Sequence, residues 1–99
     1  MRAVSNRSRW LAYAVDFDEN GYAYIGGGGF TAKYDPYGNE VTVREFSYYW
    51  WAPKLLYVGN RVYAGANALC SNASTSALYI FDRDLEQLGR LCLGGAFER

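Results

Sequence analysis

Phe17-Asp18-Glu19-Asn20-Gly21-Tyr22-Ala23-Tyr24-Ile25-Gly26-Gly27, running on through Lys33-Tyr34-Asp35-Pro36-Tyr37-Gly38-Asn39-Glu40-Val41, decides the fold. Asp-Glu-Asn-Gly and Asp-Pro-Tyr-Gly-Asn are turn sequences: Asp and Asn bond the nearby backbone, Gly accepts positive φ, and Pro presets φ. Aromatic and β-branched residues, which suit a pleated surface, fill the runs between them. The pattern predicts strand, tight turn, strand, connection, strand, tight turn, strand: a four-stranded antiparallel meander. Its strands are expected at 10–17, 22–25, 30–34 and 40–46. Within the last, Val41 and Val43 are expected to face inward and Thr42 and Arg44 outward.

The pattern then recurs. Leu56-Tyr57-Val58-Gly59-Asn60-Arg61-Val62-Tyr63-Ala64-Gly65 repeats the first hairpin, with Tyr63 standing 39 residues after Tyr24. Phe81-Asp82 repeats Tyr34-Asp35 at a step of 47, so the second copy carries eight extra residues. These fall in the small-residue segment 66–76, which reads as a loop. Asp82-Arg83-Asp84-Leu85-Glu86 takes the place of the Asp-Pro-Tyr-Gly-Asn turn. Residues 1–9 read as an arm or an outer strand, 10–52 as a first repeat and 53–99 as a second.

Ninety-nine residues suffice for one small domain, and a hydrophobic content of 51% makes it globular in composition rather than disordered. Ten of the eighteen aromatics are Tyr, a usage that favours sheets and interfaces. Ten basic and ten acidic residues cancel, so no net field draws in nucleic acid. Arg2, Arg7 and Arg9 form a small basic cluster that reads as a solvated terminus. There is no membrane-spanning run. If Met1 is the native start, the absence of a signal-peptide core points to a cytoplasmic product. If the chain is a piece of a secreted protein, as the sequons at Asn6 and Asn72 allow, the expectation is extracellular.

Repeats of ~40–45 residues and four short strands have the size of a propeller blade. Residues 18–27 followed by 32–40 resemble the β-propeller repeat of the SBBP, NHL and quinoprotein-like groups. The likeness spans roughly 10–95 and is looser in the second copy, where Tyr57 stands in the place of Asp18. It implies an all-β chain of two four-stranded antiparallel meander blades. Closed propellers use ~4–8 blades, so two are incomplete unless the chain self-associates or belongs to a longer one. The tryptophan-bearing signature of quinone-dependent dehydrogenases is missing, and no quinone is implied. An ordinary sandwich or small barrel is the competing architecture.

Candidate chemistry is sparse. The chain has no His, the commonest general base and metal ligand. Gly26 to Gly29 lie in a β context without the helix N-terminus that a phosphate cradle needs, and read as close backbone packing or a flexible turn. Asp16, Asp18 and Asn20, ahead of Gly21, have the alternating oxygens of a calcium loop and are similar to the loops of FG-GAP propellers. Those carry a further Asp where this chain has Tyr24. The plainer reading is a turn whose Asp18 and Asn20 bond local amides. Tyr48, Tyr49, Trp50 and Trp51 cannot all face one core from an extended strand. They read as packing between blades or subunits, or as a stacking platform for carbohydrate or peptide. Cys70 and Cys92 are placed for one disulfide, free thiols in a reducing compartment being the alternative. The functional expectation is a non-catalytic binding or scaffold module of propeller type, assembling through aromatic surfaces. The alternative is a fragment of a propeller hydrolase or lyase whose catalytic residues lie on absent blades.

Overall fold

A computed structural model describes residues 12–46, 50–70 and 73–93. They form eight strands: β1 (Ala12–Phe17), β2 (Ala23–Gly27), β3 (Phe30–Tyr34), β4 (Glu40–Glu45), β5 (Trp51–Val58), β6 (Arg61–Cys70), β7 (Ala73–Asp82) and β8 (Gln87–Cys92). The protein is all-β. Each set of four pairs antiparallel in chain order, β1-β2-β3-β4 in the first sheet and β5-β6-β7-β8 in the second. No helix occurs among the described residues.

The β1–β2, β3–β4 and β7–β8 hairpins turn in the same way. Asp18, Asp35 and Asp82 each open a turn closed by a backbone bond from the residue three further on, at 3.0 to 3.1 Å. In each, Oδ1 of the aspartate accepts two more amides: those of Asn20 and Tyr22, of Tyr37 and Asn39, and of Asp84 and Glu86. The fourth turn residue needs positive φ, supplied by Gly21 (86°), Gly38 (90°) and, unexpectedly, Leu85 (63°). A leucine there is strained by about 1–2 kcal/mol. Leu85 is 1% exposed in the core, and its burial offsets that strain by a similar amount. The β5–β6 hairpin is a two-residue loop in which Gly59 (59°) and Asn60 (66°) both take positive φ, the turn whose twist matches paired strands.

Three expectations need correcting. Val41 does not face inward: it is 49% exposed, because the register shifts between Lys33 and Tyr34 and leaves it at a bulge. The small-residue segment 66–76 is no loop: β6 and β7 continue in register as far as Cys70 opposite Ala73. Small residues with weak strand propensity are carried by a ladder whose register the preceding residues have already set. Arg44 does not face outward to solvent either. Its Nε donates to the Leu85 carbonyl at 3.0 Å, and its guanidinium pairs with Glu86 at 3.1 Å on the second sheet. Alternation separates the two faces of a strand without saying that both are covered.

The sheets stack face to face, with β5 lying over β1 and β2. The principal core occupies this junction: Tyr24 from the first sheet, Val62, Ala64, Ala66, Ala77, Tyr79, Phe81 and Leu85 from the second, and Trp50 and Ala52 at the crossing. Ile25, Phe30, Ala32 and Tyr34 form a second buried cluster on the opposite face of the first sheet, as strand alternation requires. Residues 1–11, 47–49, 71–72 and 94–99 lie outside the described residues, and with them the expected arm, Arg2, Arg7, Arg9 and both sequons.

Candidate functional site

The richest side-chain constellation lies where the first hairpin meets the second sheet. β1 and its turn deliver Asp16, Asp18 and Glu19; β2 delivers Tyr24 and β3 Lys33; β5, its turn and the β7–β8 turn deliver Tyr57, Asn60 and Arg83. Close approach of the backbones makes this meeting possible. A Cβ added at Gly26 would stand 3.0 Å from the Ala52 Cβ and 3.0 Å from its carbonyl oxygen, so any larger residue there requires β5 to give way.

Asp18 is the centre. Its side chain is fully buried, and its Oδ2 accepts the Tyr24 hydroxyl at 2.9 Å and Arg83 Nη2 at 3.1 Å. Arg83 Nη1 reaches on to Glu19 at 2.8 Å and to Asn60 Oδ1 at 3.1 Å. The Tyr57 hydroxyl donates to Glu19 at 3.0 Å, and its backbone N–H donates to Asp16 Oδ2 at 2.8 Å. Tyr24 and Tyr57 stack with ring centres 5.4 Å apart and planes within 5°. Lys33 Nζ sits 4.8 Å from the Tyr22 ring centre and 5.5 Å from that of Tyr24, and donates to the Arg83 carbonyl at 2.8 Å. Alternating cations, rings and carboxylates thus bind the two sheets together.

The electrostatics follow from these partners. Burial pushes the Asp18 pKa up, but donation from the Tyr22 amide, the Tyr24 hydroxyl, the Asn20 amide and Arg83 outweighs it, so the carboxyl titrates below its ordinary value. Burial, then the Asp18 carboxylate, raises the Tyr24 phenol well above its usual range. Asp18 is therefore held ionised and Tyr24 protonated across the physiological range. The junction is a charge-paired, hydrogen-bonded contact that holds the two sheets together.

The calcium candidates are otherwise engaged. Both Asp18 oxygens accept protein donors, with Arg83 supplying the positive charge. Asp16 divides its oxygens between the Phe17 and Tyr57 amides, while Asn20 gives its own amide to Asp18. Among the described residues no group of three or more carboxylates, Cys or His is placed to hold a metal.

The aromatic run separates. Trp50, 2% exposed, stacks on Phe46 at 4.2 Å and meets Tyr79 edge-on at 5.6 Å; it packs between the sheets, out of a ligand's reach. Trp51 is half-buried and meets Tyr13 edge-on at 5.6 Å. Tyr48 and Tyr49 lie outside the described residues. The glycine run is close packing: Gly29 donates to the Trp50 carbonyl at 2.6 Å and accepts from the Phe46 amide at 2.8 Å. Cys92 is disulfide-bonded, and the Cys70 side chain lies outside the described set. Sequence reasoning passed over Arg83, Lys33 and Tyr57 because their partners are 38 to 65 residues away. It also passed over Tyr37, 86% exposed at a turn tip, where an aromatic beside Pro and Gly was a visible signal.

Fold and junction together define a small all-β protein of two consecutive antiparallel meanders. No protein-family model matches the chain, and neither a curated protein nor a solved structure does so.

Proposed function

We propose that the chain is a two-blade module of β-propeller type that acts by binding and scaffolding rather than by catalysis. One observation carries this reading: the two sheets stack through opposite faces of one repeated unit. Tyr24, on the near face of the first sheet, stacks on Tyr57 of the second. Its repeat counterpart Tyr63 pairs across from Leu56 on the second sheet's far face. Contact between unlike faces of equivalent units can be continued from blade to blade.

Binding rather than turnover is favoured by how the carboxylates are used. Asp18, Asp35 and Asp82 spend their oxygens on the turns they open, and a carboxylate so engaged is a poor general base. The β1–β2 and β3–β4 turns share one end of the first sheet and the β5–β6 and β7–β8 turns one end of the second, and Tyr37, Asn39, Asn60 and Asp84 on them offer stacking and hydrogen bonding to a carbohydrate or peptide. Titration of the protein with carbohydrate and peptide panels, followed by tyrosine and tryptophan fluorescence, tests this. Saturable binding lost in Tyr37→Ala and no turnover of generic hydrolase or lyase substrates are expected. Turnover that co-purifies with the chain overturns the reading.

A further inference from the structure

Strand register places Val15 in the first sheet where Leu55 stands in the second, because Val15 pairs with Ile25 and Leu55 with the equivalent Ala64. By the same register Phe17, opposite Ala23, corresponds to Tyr57, opposite Val62, so Tyr57 stands in the place of Phe17 and not, as expected from the sequence, of Asp18. Leu55 and Tyr57 are the side chains with which β5 covers the first sheet: Leu55 reaches to within 3.4 Å of a Cβ built at Gly26, and Tyr57 stacks on Tyr24. Their counterparts have no such cover. Val15 is 55% and Phe17 58% exposed, and an apolar groove of about 340 Å³ lined by Tyr13, Val15 and Ile25 lies beside them.

The receiving side is open too. Asp16, Tyr24, Thr31 and Lys33 line the near face of the first sheet; their counterparts in the second are Leu56, Tyr63, Leu78 and Ile80. Three polar positions have become aliphatic. Leu56 is 55% exposed, Leu91 on the same face 55%, and Tyr63, Leu78 and Ile80 are only half-buried. A face that trades Asp, Thr and Lys for Leu, Leu and Ile gains nothing from standing in water.

We infer that copies of this chain assemble head to tail, the Leu56–Tyr63–Ile80 face of one receiving the Val15–Phe17 rim of the next as the internal junction receives Leu55 and Tyr57. The inference rests on the blade-type stacking proposed above. The occupant is a second copy because the two open surfaces are the two halves of a contact the chain already makes with itself. Such a contact is heterologous and must close into a ring to stay finite. Two, three or four chains would supply four, six or eight blades.

The test is the mass of the full chain by sedimentation equilibrium, for the native protein and for Phe17→Glu and Leu56→Glu. Both positions are more than half exposed, so circular dichroism and the melting temperature measured on the separated monomer check that each variant folds. The native chain is expected at a discrete two, three or four copies. Either variant alone should weaken assembly at least ten-fold. An equimolar mixture of the two should recover a dimer, since one intact surface remains on each. A native monomer, growth without limit on raising concentration, or assembly that survives either variant overturns the inference. A folded native monomer in which Tyr57→Ala still lowers the melting temperature would leave the stacked-sheet reading standing.

Discussion

Asp18 shows how a single side chain serves two levels of structure at once. One oxygen builds its own turn and the other reaches across to the second sheet. Asp18→Ala leaves the buried Tyr24 hydroxyl without its acceptor and takes from Arg83 one of its two carboxylates, and a loss of about 3 kcal/mol is expected in urea unfolding. The pH dependence has a definite sign. The folded pKa lies below the unfolded value, near 3.9, so on acidification the unfolded chain binds the proton first. Stability from this group is complete above the unfolded pKa and drains away as pH falls through the folded one. Thermal melts should therefore weaken from about pH 5 downward, with a shallower fall in Asp18→Asn. Gly26 acts sterically: Gly26→Ala drives a methyl into the Ala52 backbone and should cost about 1–3 kcal/mol, read by the same unfolding curves.

At the level of the element, turns were legible and covers were not. Asp18-Glu19-Asn20-Gly21 and Asp35-Pro36-Tyr37-Gly38-Asn39 announce themselves because their chemistry is local, an aspartate bonding amides two and four residues on. Asp82-Arg83-Asp84-Leu85-Glu86 was placed correctly by its position in the repeat. Nothing in that pentapeptide disclosed that Leu85 would take positive φ and close the core, since that choice is made by the sheet it packs against. Segment 66–76 failed for a related reason: its pairing depends on register inherited from β6 and β7. Asp16, Asp18 and Asn20 matched a calcium pattern in sequence, but their oxygens and amides serve strands and turns. Excess chelator is accordingly expected to leave the melting temperature unchanged. A fall would assign these residues a bound cation, because a ligand of the folded state must stabilise it.

For the whole molecule, recurrence of the turn pattern was the decisive sequence signal, and two four-stranded antiparallel sheets agree with it. The junction was hidden because its bonds join residues up to 65 apart, Asp18 to Arg83, and no local pattern pairs them. On the proposed blade reading, the β1 rim of the first sheet and the outer face of the second await cover, and the exposed Val15, Phe17, Leu56 and Leu91 lie there.

The claim beneath all of this is that the two sheets are stacked face to face through the Asp18 junction. A double-mutant cycle on Asp18→Ala and Arg83→Ala, read by urea unfolding of the full chain, measures that contact directly. A coupling of about 1–3 kcal/mol is expected for a buried carboxylate bonded to a partly shielded guanidinium. Strictly additive losses would mean that the first hairpin and the second sheet do not meet there, and the stacked arrangement would fall with them.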